Sequence, residues 1–211
     1  MSFYLCLILS YLLGGIPFGL IAGFLFGHGD IRSKGSGNIG ATNVWRIAGP
    51  GATFFVFVGD FGKGAAAVLI CSLWSNSSWP IPQESAALLC GLFAVLGHLF
   101  SPYLVFKGGK GVCTALGVFA SLLPLETLAS VIIFVIVLLI TRFVSLSSII
   151  ATMSLAGILW IKYLYFNIPV KKEYLLATSV VSALILFTHH QNIKRLITGT
   201  EHRFQLRKAV D

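Results

Sequence analysis

The run VCTALGVFASLLPLETLASVIIFVIVLLIT, residues 112–141, decides what kind of chain this is. Its 30 residues contain one charged side chain, Glu126. As a single helix it would extend about 45 Å, against a bilayer hydrocarbon core of about 30 Å. Pro124-Leu125-Glu126 supplies a break. The run therefore reads as two short spans, 112–123 and 127–141, the first short enough to be re-entrant instead.

Working outward, similar apolar runs recur along all 211 residues. The chain is 56% hydrophobic and 10% charged, with a mean hydropathy of +0.90, where a soluble domain carries about 25% charged residues. The expectation is an all-α polytopic membrane protein, one integral domain over 1–211. The net charge of +8 then reports orientation before it reports nucleic acid, and no nucleic-acid partner is expected. Cys6, Cys71, Cys90 and Cys113 stand singly in apolar segments, without metal-ligand spacing. The N-terminus lacks a basic stretch before its apolar run, which reads as a retained span rather than a cleaved signal.

Seven spans are expected: 3–26 (interrupted at Gly14-Gly15-Ile16-Pro17), 52–74, 85–99, 112–123, 127–141, 149–166 and 174–187. The connections are a glycine-rich loop at 28–51, a polar turn at 76–83, the segment 100–111, a tight loop at 142–148 and a polar stretch at 167–173. A basic amphipathic tail, 188–211, closes the chain. Arg32, Lys34, Arg46, Lys107, Lys110, Arg142, Lys194, Arg195, Arg203, Arg207 and Lys208 then share one face, with Lys162, Lys171 and Lys172 toward the other. The positive-inside rule makes the crowded face cytoplasmic and puts the N-terminus outside.

Immediately before residue 112 stands Phe106-Lys107-Gly108-Gly109-Lys110-Gly111, followed by Val112-Cys113-Thr114. Glycines let a ligand approach backbone N–H groups, successive N–H groups form an anion-binding concavity, and a helix beginning at Val112 would aim its positive end there. Phosphate suits this stretch; an interfacial loop meeting lipid headgroups is the plainer alternative. It is not a Walker A loop, since Gly111 follows Gly109-Lys110 where Ser or Thr is required.

Three further polar segments fall on the same predicted face. Ser36-Gly37-Asn38-Ile39-Gly40-Ala41-Thr42-Asn43-Val44-Trp45-Arg46 combines hydrogen-bonding side chains with an arginine suited to two-point phosphate binding. Thr141 to Ser148 carries Arg142 and Ser145, and also reads as a helix cap. His189 to Glu201 holds His189, Asn192, Arg195 and Glu201, and also reads as a basic tail on anionic lipid. Within the second span, Asp60 and Lys63 lie three apart on one helix face, where an ion pair is favoured over a proton path.

At these residues the chain resembles the bacterial acyl-phosphate:glycerol-3-phosphate acyltransferases. The resemblance rests on Ser36 to Val44 with Arg46; on Gly97-His98 with Phe100 and then Phe106 to Val112 with Thr114; on Arg142 with Val144-Ser145-Leu146; and on His189, Asn192-Ile193, Arg195-Leu196 and Gly199-Thr200-Glu201. Asp60 and Lys63-Gly64 fit as well. The chain departs from the family pattern at Ser101, usually proline, at Cys113, commonly alanine, and at His190, commonly arginine.

The resemblance implies a seven-span enzyme of the bacterial cytoplasmic membrane, acting on the cytoplasmic side. It would move a fatty acyl group from acyl phosphate to the 1-hydroxyl of glycerol 3-phosphate, giving lysophosphatidic acid and phosphate. The implied partners are those two substrates, membrane lipids and an enzyme that supplies acyl phosphate; no metal and no cofactor is expected. The candidate catalytic residues are Ser36, Arg46, Lys110, His189 and Asn192. The candidate substrate-binding residues are Asn38, Asn43, His98, Lys107, Gly108, Gly109, Gly111, Thr114, Ser145, Arg195 and Glu201. Arg46, Lys110, Ser145 and the glycine backbone are assigned to phosphate, and His189 and Asn192 to the attacking hydroxyl. Ser36, Asn38 and Asn43 either bind acyl phosphate or brace their loop, and Glu201 orders the tail. Two other classes stay open: a transporter of a small phosphorylated solute, suited by the intramembrane pair and broken helices, and a non-catalytic lipid-binding protein.

Overall fold

The computed structural model describes residues 2–74 and 79–204, all helix and connection. Part of the expected turn at 76–83, and Arg207 and Lys208 of the expected basic face, lie outside the described residues. The chain divides into two compact units, one ending at Leu122 and one beginning at Leu123.

In the first unit the opening span is broken where the sequence places its glycines and proline. Helix α1 (Phe3–Gly15) stops, Ile16 and Pro17 intervene, and α2 (Phe18–Leu25) follows. Helix α1 lies on α4 (Gln83–Leu99) through small residues. A Cβ on Gly14 would meet the Ala94 carbonyl oxygen at 2.0 Å, and one on Gly97 would meet that of Tyr11 at 2.0 Å. Helices in lipid gain little from hydrophobic association, so close backbone approach carries their packing.

Helix α3 (Ala41–Trp74) holds the first correction. The loop expected over 28–51 ends at Gly40, and 41–48 is already helical. Gly49, at φ 79°, breaks the helix, and Pro50 restarts it where a missing N–H costs nothing. The early turns form because Val44 packs with Ile31, Ile39, Ala52 and Val56 in a small apolar core. Helix α5 (Val112–Leu122) completes the unit against α3 and α4, beginning at the residue expected.

The second unit contains α6 (Pro124–Thr141), α7 (Val144–Leu164), α8 (Lys172–Thr188) and α9 (His190–Ile197). The break before α6 is narrower than expected. Pro124 occupies the first helical position, leaving Leu123 alone outside. Helix α7 likewise starts at Val144, not 149. Arg142, left-handed at φ 60°, closes α6, and the Ser147 and Ser148 hydroxyls donate to the Phe143 and Val144 carbonyls. Serines taken for loop formers are instead helical residues bonding back along their own turn. Lys162 on α7 reaches Glu126 on α6 at 2.5 Å.

Among the described residues, five stretches are long and apolar enough to cross a membrane: Phe3–Leu25, Ala41–Trp74, Gln83–Leu104, Pro124–Thr141 and Val144–Leu164. Helix α5 has 11 residues and α8 has 17. Helix α6 exposes Leu125, Leu128, Ile132, Val135, Ile136, Leu139 and Ile140, a pattern suited to lipid.

The glycine contacts give a direct test. Gly97→Ala drives a methyl into backbone that cannot yield, and should lower unfolding free energy in detergent by about 1–3 kcal/mol. Gly62→Ala, whose Cβ meets nothing within 4 Å, should leave stability unchanged or raised by about 0.5–1 kcal/mol. Equal thermal midpoints for the two variants would refute close α1–α4 packing.

Candidate active site

The first polar segment folds around one side chain. Asn43, buried at the start of α3, places its Nδ2 within 3.2 Å of the Ile31, Lys34 and Asn38 carbonyls, and its Oδ1 accepts from the Ser36 amide at 2.8 Å. Asn38 Oδ1 accepts from the Gly40 amide at 2.8 Å, ahead of α3. Asn43 is therefore the brace of this loop, one of the two roles expected of it. Ser36 and Arg46 stand exposed on the segment so held. Nearby, Arg32 is paired with Asp30, and its side-chain and backbone hydrogen bonds draw that carboxyl down to about 2.

The lysine loop is built on the end of α4. The Gly108 amide donates to the Leu99 carbonyl and the Gly109 amide to the His98 carbonyl, each at 3.0 Å. A Cβ on Gly108 would lie 1.9 Å from the His98 carbonyl oxygen, and one on Gly109 would lie 2.2 Å from His98 Nε2. These glycines are needed, but to let the loop press onto His98. Their N–H groups point inward, contrary to the expected anion concavity. Farther along, Gly111 turns at φ 82° into α5. Lys107 is exposed and Lys110 half-buried. Thr114 is fully buried and its hydroxyl has no hydrogen-bond partner.

Beneath the loop lies a buried polar cluster. Asp60 and Lys63 on α3 form the expected ion pair at 2.8 Å, with both side chains almost wholly buried. Lys63 Nζ also donates to the Ile16 carbonyl, at 2.9 Å, in the break between α1 and α2. His98 Nδ1 lies 3.4 Å from the same Asp60 oxygen, without a well-formed hydrogen bond. Ser101, where proline was the expected family residue, donates to the Gly15 carbonyl at 2.6 Å. The partnership of Ser101 and Lys63 with backbone carbonyls had no sequence signal beyond Pro17, which announces that a helix breaks but not who satisfies it.

The second unit gathers its candidates around Glu201. Ser145 Oγ and Asn192 Nδ2 donate to one carboxylate oxygen at 3.0 and 2.8 Å, and Arg195 Nε donates to the other at 2.7 Å. Burial pushes the Glu201 carboxyl up, but the hydrogen bonds from Arg195, Asn192 and Ser145 outweigh it and hold it below its ordinary value of 4.5. Ser145, expected on phosphate, thus carries an internal bond in this structure. The Phe204 amide donates to the Arg142 carbonyl, and Arg203 sits over the Phe143 ring. His189, also buried, directs Nδ1 at the Ile185 carbonyl at 2.8 Å, which orients its ring.

Apolar helices with a buried ion pair, a basic loop at a helix start and a carboxylate-centred clasp are the features of an integral membrane protein. The family model for glycerol-3-phosphate acyltransferases matches residues 4–199. Glycerol-3-phosphate acyltransferase 2 of Bacillus anthracis is 43% identical over 94% of this chain and 97% of its own. The glycerol-3-phosphate acyltransferase of Trichlorobacter lovleyi is 41% identical over 93% and 94%. The crystal structure of PlsY (YgiH), an integral membrane glycerol 3-phosphate acyltransferase in its glycerol 3-phosphate form, superposes with a TM-score of 0.85 at 39% identity, covering 97% of this chain and 96% of that one. Its lysophosphatidic acid form superposes at 0.82. The chain belongs to the glycerol-3-phosphate acyltransferase family and is an integral membrane acyltransferase.

The Glu201 clasp has a pH signature. A carboxyl held below its ordinary value stabilises the fold above that value, and the contribution is lost as pH falls through the lowered one. Glu201→Gln should cost about 1–3 kcal/mol at pH 7 and flatten the loss of thermal stability on acidification below about 4.5. A wild-type midpoint at pH 7 with an unchanged acid slope would show that the clasp contributes nothing.

Proposed function

We propose that this protein transfers a fatty acyl group from acyl phosphate to the 1-hydroxyl of glycerol 3-phosphate, releasing lysophosphatidic acid and phosphate. The observation that carries the reading is the likeness, along nearly the whole chain, to an enzyme crystallised in both a glycerol 3-phosphate and a lysophosphatidic acid form. An acceptor and its acylated product support acyl transfer to glycerol 3-phosphate. The acyl phosphate donor is supported by this chain's own residues: the polar groups are cations and hydrogen-bond donors suited to phosphate, and both reactants would present phosphate.

The hydroxyl oxygen attacks the acyl carbonyl carbon, the bond from that carbon to the bridging oxygen breaks, and phosphate leaves with the electron pair. Phosphate is a competent leaving group once its charge is neutralised, so catalysis rests on cations more than on a strong acid. Arg46 and Lys110 take that role, with the donors around Gly111 at the positive end of α5. Ser36 and Asn38 bind the acyl phosphate. His189 and Asn192 orient the hydroxyl, with His189 fixed by its bond to the Ile185 carbonyl. The hydroxyl proton passes to an oxygen of the phosphate, whose second pKa lies near 6. The acyl chain lies against apolar helix surface.

Seven crossings, with the N-terminus outside and the C-terminus inside, agree with the distribution of lysine and arginine. On this reading α5 and α8 are the two short crossings. The Lys162–Glu126 pair fits, because both residues are assigned to the outer face. The basic face, and with it the chemistry, is cytoplasmic in a bacterial inner membrane, where an enzyme making acyl phosphate can deliver it.

Detergent-purified protein given acyl phosphate and glycerol 3-phosphate should release phosphate and lysolipid in equal amounts. Lys110→Ala should reduce turnover by about 10²–10³-fold, the usual loss for a donor facing transition-state charge. Lys107→Ala, exposed in the same loop, should cost less than tenfold. Absence of transfer by the wild type would refute the function; equal small losses in the two variants would refute the role of Lys110.

A further inference from the structure

We propose that Asp60 and Lys63 are positioning residues for the lysine loop and that they act through His98. This rests on the reading of that loop as a phosphate site. Four observations lead to it. Asp60, Lys63 and His98 are all buried, with 2%, 3% and 3% of their surface exposed. Lys63 ties Asp60 at 2.8 Å to the Ile16 carbonyl at 2.9 Å, so the carboxylate is anchored to two parts of the unit. The Asp60 oxygen that meets Lys63 also faces His98 Nδ1 at 3.4 Å. The opposite edge of the same imidazole carries the loop, since Nε2 lies where a Gly109 side chain would begin, and the His98 carbonyl accepts the Gly109 amide. Lys110 is the next residue.

The imidazole is thus a wedge between a fixed carboxylate and the backbone that presents Lys110. A neutral helix face would pack α3 against α4 equally well. The pair instead sets the ring angle, and the ring angle sets the height of Gly109. A displacement of 1 Å at a positioned group can cost about a hundredfold in rate. The Asp60–His98 contact is too long and misdirected for a full hydrogen bond.

The test uses full-length protein and removes both charges at once, because either one left alone would be a buried unpaired ion. Buried ion pairs replaced by apolar residues often cost little stability, and the Ile16 carbonyl keeps the Phe18 amide at 3.1 Å. The double variant Asp60→Val/Lys63→Met should fold, with amide exchange in α1 and α4 as in the wild type. Exchange of the Gly108 and Gly109 amides should speed up tenfold or more, and KM for glycerol 3-phosphate or kcat should worsen by about ten- to a hundredfold. Loop exchange at the wild-type rate, or a uniform rise across all helices, overturns the proposal. Should the double variant fail to fold, His98→Asn decides. It keeps a polar atom toward Asp60 and deletes the ring edge beneath Gly109, so unchanged loop exchange there overturns the proposal equally. Exchange and turnover report separately. Altered exchange in a protein whose wild type transfers no acyl group would leave the positioning role standing and remove the functional reading.

Discussion

A broken helix inside a membrane leaves carbonyl oxygens that no water can satisfy, and the first unit is organised around that constraint. Helix α1 ends at Gly15, so the Gly15 and Ile16 carbonyls face the break and take donors from outside the helix as well as the Phe18 amide on Ile16. Ser101 supplies a hydroxyl to one and Lys63 an ammonium to the other. An unmet carbonyl in hydrocarbon costs several kcal/mol; the Gly15 carbonyl is met by Ser101, and the Ile16 carbonyl accepts both Lys63 and the Phe18 amide, which it keeps without the lysine. Lys63 could not be buried alone, and Asp60 three residues away neutralises it. Through these contacts α3 and the end of α4 are bound to the break in the opening span.

The second unit solves a related problem with the opposite charge. Glu201 lies beyond the last helix, yet it is buried because Ser145, Asn192 and Arg195 each bring a donor to its carboxylate. The start of α7 and the two ends of α9 are thereby fixed to one residue. In both units an ion is kept out of water only where several polar partners surround it. In both, candidate site residues are neighbours of that ion: His98 beside Asp60, Asn192 beside Glu201.

Much of the helical order was legible. Residues 112–141 were too long for one membrane span, and Pro124 marked the division. The start of α5 at Val112 and the break at Ile16-Pro17 followed from glycine and proline alone. Boundaries failed where polar residues were helical. Ser147 and Ser148 bond back within α7, and Asn43 turns its amide into its own loop, so polarity there does not mean a connection. The Asp60–Lys63 pair was readable because i and i+3 share a face. Its link to Ile16 was not, because a carbonyl acceptor has no letter in the sequence. The glycines of 108–111 read as places where a ligand approaches the backbone, but what approaches Gly108 and Gly109 is the end of α4 at His98 and Leu99. Residue type announces that a backbone must come near something; only packing names the thing.

The central chemical claim is that phosphate leaves and the acyl carbon is attacked. Acyl phosphate labelled with oxygen-18 at the bridging position distinguishes this from phosphoryl transfer. The account predicts that all the label appears in released inorganic phosphate, with none in the lysophosphatidic acid ester. Label retained in a fatty acid, with phosphate carried to the acceptor, would contradict it.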